Sequence, residues 1–277
     1  MLSYDLARYY LSYCPIERGK WRVWRAIEKS LDGRRLSPVI RQLPNGCAMR
    51  LDPSDWIDRF IYFWNQWEPN ETRLIRKVLR PGDTFVDVGA NIGYFTLLGS
   101  RIVGDTGSVI AIEPTPPTAE KLRSNIALNN LCNVTVHECA AASENGSVRI
   151  NKHYEINSGM NSLRHGKLSE FWNVSCRRLD DLLSDRSIQF IKMDIEGAEL
   201  LALLGFKNGL SRQNSPDMLL EISPDMVAAL GGDYHEIFDI MREAGYLALR
   251  VNDRKLDPID RDDPIDGQIS VFFTKPR

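Results

Sequence analysis

Short apolar runs alternate with amphipathic stretches through most of the chain, and this pattern predicts its secondary structure. The runs have the length and composition of buried strands: Phe85–Val88, Val109–Ile112, Val134–Glu138, Val174–Arg178, Phe190–Met193, Leu219–Ile222, Tyr246–Val251 and Ile269–Phe273. The stretches between them favour helices: Ile92–Val103, Ala119–Leu128, Leu179–Leu183, Gly197–Leu204 and Tyr234–Ala244. This alternation predicts an α/β fold with a doubly wound, mostly parallel sheet. The last two strands lack a helix between them and should pair antiparallel.

The first part of the chain has a different pattern. Residues 1–35 predict two short helices, and residues 39–51 predict a hairpin around Asn45-Gly46. Asp55–Trp67 is rich in aromatics, is expected to begin as a helix, and should serve as core or lid. Glu71–Leu79 predicts a further helix. We therefore expect an N-terminal helical and hairpin appendage over residues 1–68 and a main domain over residues 69–277.

The charge of the chain is small overall but uneven. The net charge of the 277 residues is -2, whereas residues 1–35 hold eight Lys or Arg against four Asp or Glu. The acidic main domain argues against nucleic acid as a partner. The basic, aromatic N-terminal segment is either a helical appendage packed on the domain or a surface for a membrane or a polyanionic acceptor.

The cysteines and the apolar segments bear on the cellular compartment. Five cysteines are scattered without C-x-x-C spacing, which argues against a zinc site and a disulfide framework. The N-terminus lacks the apolar core of a signal peptide, and no apolar run approaches the ~20 residues that span a bilayer. These features predict a cytoplasmic protein.

The segment Thr84–Thr96, T-F-V-D-V-G-A-N-I-G-Y-F-T, predicts a strand, a glycine turn and a helix. Such a turn lets the backbone approach a ligand and directs a helix N-terminus toward it. A strand-to-helix turn without any ligand is the alternative, but the added Asp and Asn favour a nucleotide-like ligand.

Three carboxylates follow predicted strands: Asp87, Glu113 and Asp194. In a doubly wound sheet these strand ends meet at one edge. A carboxylate at Glu113 can accept hydrogen bonds from both hydroxyls of a ribose. The pattern G-A-N-I-G lacks the third glycine that a dinucleotide pyrophosphate needs, which favours S-adenosylmethionine over NAD. A nicotinamide-dependent oxidoreductase and a non-catalytic donor-binding adaptor remain as alternatives.

Three motifs together resemble one family. D-V-G-A-N-I-G-Y-F-T, A-I-E-P and I-K-M-D-I-E-G-A-E look like the FkbM-type family of S-adenosylmethionine-dependent methyltransferases, with matching order from about Pro69 to the C-terminus. W-E-P at Trp67–Pro69 and N-I-A-L-N-N at Asn125–Asn130 also resemble its pattern. The resemblance implies a seven-stranded methyltransferase sheet and O-methylation of a small-molecule, sugar or lipid acceptor.

The resemblance also implies roles for individual residues. Those lining the methionine side of the donor would be Asp87, Gly89, Ala90, Asn91 and Gly93. Glu113 would hold the ribose, Ala140 would lie beside the adenine, and Asp194 and Glu196 would face the reacting centre.

An alcohol acceptor needs a base to take its proton. Asp194 is the first candidate for this base, followed by Glu196, Glu221 and His165. Asp194 and Glu221 could hold Mg²⁺, but no third ligand is evident, so we predict no metal site.

Overall fold

The computed structural model describes residues 4–16, 18–31, 36–151, 171–184, 186–253 and 255–276. The helices within these ranges are α1 (Tyr4–Tyr13), α2 (Lys20–Leu31), α3 (Trp56–Trp64), α4 (Pro69–Val78), α5 (Tyr94–Val103), α6 (Pro116–Leu128), α7 (Leu179–Leu182), α8 (Glu199–Leu204), α9 (Lys207–Leu210), α10 (Pro224–Ala229) and α11 (Tyr234–Glu243). The strands are β1 (Val39–Gln42), β2 (Ala48–Leu51), β3 (Thr84–Val88), β4 (Ser108–Ile112), β5 (Val134–His137), β6 (Ala140–Ala141), β7 (Gly146–Asn151), β8 (Phe171–Arg177), β9 (Phe190–Met193), β10 (Asp217–Ile222), β11 (Leu247–Asn252), β12 (Lys255–Pro258) and β13 (Ile269–Thr274).

The central sheet confirms the predicted fold class. Its strand order is β12-β11-β13-β10-β9-β3-β4-β5. Strands β10, β9, β3, β4 and β5 run parallel, and β13 and β11 add the predicted antiparallel pair. All seven predicted strands of the main sheet are present, and the short hairpin strand β12 extends the sheet at one edge. Strand β12 was not predicted because its alternation is short and polar.

A second, three-stranded sheet lies beside the main one and was not predicted. It contains β6, β8 and β7 in that order. No strand was predicted between Glu138 and Val174, but the described residues of this stretch include β7, which pairs antiparallel with β8. The polar outward positions of β7 hide its strand pattern. His165, one of the predicted base candidates, lies outside the described residues.

The central strands are buried on both faces, as expected for a parallel sheet covered by helices. Phe85, Val109, Phe190 and Leu219 face one apolar cluster, which also includes residues of the hairpin β1–β2. A separate cluster contains the N-terminal helices, where Trp24 packs against Phe63. Across the residues given above, no helix is both long and apolar enough to cross a bilayer.

Asn125 of α6 and Asn129, the residue that follows this helix, attach the hairpin to the main domain. The Asn125 side chain is fully buried; its amide oxygen accepts from the Arg50 backbone N–H (2.8 Å), and its amide nitrogen donates to the Ile92 carbonyl (2.9 Å). Asn129 makes a matching pair of hydrogen bonds with the backbone of Ala48, at 2.7 Å each. Asn125 therefore joins the hairpin, α6 and the glycine turn through one side chain.

Replacing Asn125 with Ala should lower the free energy of unfolding by about 2–4 kcal/mol, because two backbone groups, one of them buried, lose their partners. Urea denaturation measures this difference. The control is Asn214→Ala, at an exposed turn position, which should change stability by no more than about 0.5 kcal/mol. Equal stability of the two variants would contradict the proposed role of Asn125.

Candidate active site

The turn between β3 and α5 is shaped by backbone conformation and by close packing. Gly89 and Gly93 have φ values of 83° and 98°, which favour glycine. A Cβ at Gly89 would collide with the carbonyl oxygen of Asp194, and one at Gly93 would collide with the Leu122 side chain. Both glycines are thus required by contacts within the protein, in addition to any approach of a ligand.

Backbone hydrogen bonds bring three strand ends together. The Asp194 N–H donates to the Val88 carbonyl (3.0 Å), and the Ala90 N–H donates to the Ile112 carbonyl (3.0 Å). The loops that follow β3, β4 and β9 therefore form one edge, as the strand order predicts.

A cavity of about 870 Å³ opens at this edge. Most of the residues predicted for the site line it: Gly89, Ala90, Asn91, Glu113, Ala140, Asp194 and Glu196. Asp87 and Gly93 are not among the lining residues and lie behind the wall. The structure thus brings the predicted donor residues after β3 and β4 into the same cavity as Asp194.

Glu113 is held rigidly at the end of β4. One carboxylate oxygen accepts from the Asn91 backbone N–H (3.0 Å), and the other accepts from the backbone N–H (2.9 Å) and hydroxyl of Thr115. Burial raises the pKa of this carboxyl group, against the effect of these donors. Each oxygen has further acceptor capacity, so Glu113 can also bind a diol.

Asp87 lies inside β3 and is almost fully buried. Its Oδ2 accepts from the Thr96 hydroxyl at 2.6 Å, whereas its Oδ1 has no hydrogen-bond partner in the part of the chain that the structure describes. Burial raises the pKa of this carboxyl group. The role predicted for Asp87, beside the methionine end of a donor, stays a prediction, and its unpaired oxygen is compatible with it.

Lys192 forms the centre of a buried charge cluster. Its ammonium nitrogen lies 2.9 Å from Asp194 Oδ2 and 3.9 Å from Glu68 Oε2, and it packs over the Phe95 ring at 4.6 Å. The Glu221 carboxyl group hydrogen-bonds Asp194. All four charged side chains line the cavity.

The four groups have strongly altered proton affinities. Burial works against ionisation of Asp194, but the adjacent Lys192 holds its pKa below the usual range. Burial raises the pKa of Glu68 to about 8. Burial, together with the negative charge of Asp194, raises the pKa of Glu221 to about 12. At neutral pH, Asp194 and Lys192 are therefore an ion pair, Glu221 is protonated, and Glu68 is close to its own titration.

Glu68, Asp194 and Glu221 each place an oxygen within 4.8 Å of the other two. Glu68 is thus the third carboxylate that the sequence analysis lacked when it considered a metal. The Lys192 ammonium compensates the ionised carboxylate of Asp194 beside it, and the prediction of no metal site stays a prediction.

Sequence reasoning missed Lys192 and Glu68 as site residues. A lysine within the apolar run Phe190–Met193 was a usable signal, because a lysine in a buried strand requires a charged partner. The only sequence signal for Glu68 was its place in the motif W-E-P. In the structure Glu68 has φ 40° at the start of α4, and the Trp67 indole donates to its carboxylate.

One wall of the cavity is aromatic. Trp21, Trp56, Phe60 and Trp67 line it. The Phe60 ring contacts Trp56 and Trp67, with centroids 5.7 and 5.4 Å apart. The sequence analysis predicted core or lid for the aromatics of Asp55–Trp67; Phe63 is core, whereas these rings face the cavity.

Replacing Glu221 with Gln should flatten the pH dependence of stability. In the wild type Glu221 takes up a proton on folding, because its pKa rises from 4.5 to about 12. The native state then binds one more proton than the unfolded state, so wild-type stability falls with rising pH by up to about 1.4 kcal/mol per unit. A glutamine at position 221 does not titrate, so the variant lacks this contribution to the pH dependence.

Urea denaturation from about pH 6 to about pH 9 compares these slopes. The free energy of unfolding of Glu221→Gln should fall less steeply with rising pH than that of the wild type, by an amount that corresponds to about one proton. Parallel curves for the two proteins would show that Glu221 is ionised in the native state.

Comparison with known proteins identifies the family. Residues 87–248, more than half of the chain, match the sequence model of the methyltransferase FkbM domain. Methyltransferase 1 of Beauveria bassiana is 27% identical over 148 residues, which cover 45% of this chain and 59% of that protein. The match therefore spans less than two thirds of the length of this relative.

Solved structures with a similar fold include the methyltransferase FkbM of Methylobacillus flagellatus, at 21% identity and a TM-score of 0.45, covering 79% of this chain and 52% of that one. An S-adenosylmethionine-dependent O-methyltransferase of Thermotoga maritima has 13% identity and a TM-score of 0.44, covering 86% and 78%. The family match over residues 87–248 decides the assignment: the chain belongs to the FkbM methyltransferase domain family.

Proposed function

We propose that this protein transfers a methyl group from S-adenosylmethionine to a hydroxyl oxygen of a neutral acceptor. The observation that carries the proposal is a single cavity that contains both Glu113, suited to a ribose, and the Glu68–Lys192–Asp194 cluster, suited to handling a proton. Family membership supports methyl transfer. The oxygen acceptor is our inference from the cluster.

The residues present fit S-adenosylmethionine. The Glu113 carboxylate is fixed by backbone donors and retains free acceptor capacity in the cavity. Gly89, Ala90 and Asn91 would line the methionine portion, and Ala140 would lie beside the adenine. The turn has two glycines and no phosphate cradle, as a donor without phosphate requires. When bound, S-adenosylmethionine supplies a methyl group that is already activated for displacement.

Glu68 is the best-placed base for the acceptor proton. A base is most effective when its pKa is near the working pH, and that of Glu68 is raised to about 8. Asp194, the first candidate from sequence, is ionised and held 2.9 Å from Lys192, which weakens it as a base. We assign Asp194 to positioning Lys192, and Glu196, which also lines the cavity, to contact with the acceptor.

The proton balance of the cluster supports this assignment. With Glu221 protonated and Lys192 paired to Asp194, ionised Glu68 leaves the cluster with one negative charge. When the acceptor oxygen takes the methyl group that the donor would supply, its hydroxyl proton would pass to Glu68. The cluster then becomes neutral, which is favourable in a buried site.

The charges around the cavity favour a neutral acceptor. The carboxylates that line it are Glu68, Glu113, Asp194, Glu196, Glu221 and Asp225. Lys192 is the one cation among the lining residues of the described chain, and it is paired with Asp194. An acidic acceptor would be repelled, whereas hydroxyl groups can donate to carboxylates and an apolar ring can pack on the aromatic wall.

The function is tested with purified protein, donor labelled in its methyl group, and acceptor fractions from cell extracts. Label in an ether linkage on a neutral compound supports the proposal. Label on nitrogen or carbon overturns the choice of oxygen. Calorimetric binding of NAD without binding of S-adenosylmethionine would favour the oxidoreductase, and donor binding without any transfer would favour the adaptor.

Replacing Glu113 with Gln should weaken S-adenosylmethionine binding by about 10- to 100-fold, because a charged acceptor for two hydroxyls is lost. Isothermal titration measures the dissociation constant. The control is Glu138→Gln, which removes an exposed carboxylate on the next strand end. Unchanged affinity in Glu113→Gln would remove Glu113 from the donor site.

Replacing Glu68 with Gln should lower turnover by about 10²-fold or more while donor affinity stays within a few-fold. The rate of the wild type should rise with pH through about 8, where Glu68 loses its proton, and this rise should be absent in the variant. Glu120→Gln, at an exposed position of α6, serves as the control.

Asp194→Asn separates the two candidate bases. We expect it to lower turnover by about 10²-fold as well, but to retain a rise of rate with pH. Normal turnover in Glu68→Gln, combined with loss of turnover in Asp194→Asn, would return the role of base to Asp194.

A further inference from the structure

The helices α1 and α2 and the loop between them expose large apolar side chains to solvent. Tyr9, Tyr13, Ile16 and Trp21 have exposed fractions of 65%, 56%, 61% and 58%. Tyr9 and Tyr13 are one helical turn apart, and their ring centroids lie 5.5 Å from each other. Grouped exposure of this kind marks an interaction site more often than isolated exposed residues do.

Basic side chains accompany these apolar groups. The exposed cations of this region are Arg18, Arg22, Arg25 and Lys29. The Tyr10 hydroxyl donates to the Arg18 carbonyl at 2.9 Å, which holds the start of α2 against α1. We call the four exposed apolar residues and these four cations the α1–α2 surface.

The α1–α2 surface is continuous with the mouth of the cavity. Trp21 belongs to both, since it is largely exposed and also lines the cavity. Its ring contacts Trp64 and Phe60, with centroids 5.3 and 6.5 Å apart. A partner bound on this surface would therefore lie beside the entrance to the aromatic wall.

We propose that the α1–α2 surface docks on an anionic lipid bilayer and places the mouth of the cavity at a membrane-resident acceptor. The second half of this statement rests on the proposed function, whereas the docking itself does not. The acceptor would be a neutral, hydroxyl-bearing headgroup or a lipid-anchored molecule.

Charge and composition distinguish this partner from others. Tyrosine and tryptophan beside arginine and lysine are the groups that favour the interface of an anionic bilayer. A second copy of the chain would bring two basic surfaces together, which is unfavourable. A polyanion such as RNA offers no apolar interior for the exposed side chain of Ile16.

The first test is co-sedimentation of the full chain with phosphatidylcholine vesicles, with and without phosphatidylserine. Binding should require phosphatidylserine and weaken with added salt. The double variant Arg22→Glu/Arg25→Glu should bind at least about tenfold more weakly. The matched control is Arg76→Glu/Lys77→Glu, which reverses two exposed charges on α4 and should bind as the wild type does.

The second test probes contact of the aromatic group with lipid. Vesicles with brominated acyl chains should quench tryptophan fluorescence in the wild type, and Trp21→Phe should lose a large part of this quenching while still binding. Tyr9→Ser/Tyr13→Ser should bind more weakly than the wild type at the same lipid composition.

Each outcome bears on docking separately from catalysis. Binding that ignores phosphatidylserine, or equal loss in the α2 and α4 charge variants, overturns the proposal. Retention on heparin without vesicle binding would indicate a polyanion partner, and concentration-dependent dimerisation without vesicle binding would indicate a second copy; either result also overturns it. A protein that binds S-adenosylmethionine but not vesicles would leave the proposed function intact.

Discussion

The ion pair between Lys192 and Asp194 is the interaction on which the site depends. Two charges taken out of water at the end of a central strand are unfavourable unless they compensate each other. Their separation of 2.9 Å provides that compensation, and it explains why Glu221 must stay protonated beside Asp194. The proton affinities of Glu68 and Glu221 both depend on the charges of this pair.

The Lys192–Asp194 pair does not fix the protonation state of Glu68. It lies farther from Lys192 than Asp194 does, at 3.9 Å, so it gains less from the ammonium and stays near the balance between its two protonation states. A carboxyl group poised in this way can gain a proton and return it without rearrangement of its neighbours. The Lys192–Asp194 ion pair thus keeps its charges, while the adjacent Glu68 can change its protonation state.

The sequence was sufficient for the fold and for many of the residues that line the cavity. Apolar runs such as Phe190–Met193 alternate with amphipathic stretches, and this pattern predicts buried strands. The motif G-A-N-I-G predicts a turn that needs glycine. The place of Glu113 at the cavity could be predicted because it depends on a local position after β4. Glu68 could not, because its neighbours Lys192 and Asp194 come from β9 and its loop, far along the chain. Gly89 must also be glycine because a Cβ at this position would collide with the carbonyl oxygen of Asp194. Only the folded chain reveals this contact.

The N-terminal residues line part of the cavity and pack against the main domain. Leu43, Met49 and Leu51 of the hairpin pack in the same apolar cluster as Phe85 and Leu97 of the main domain. The segment that follows the hairpin supplies three of the four wall aromatics and Glu68. The FkbM match begins only at residue 87, so Glu113 and the Lys192–Asp194 pair fall within the family domain, whereas the aromatic wall and Glu68 fall before it. Under the proposed function, acceptor choice can therefore diverge through residues 1–68 while Glu113 and the Lys192–Asp194 pair are retained.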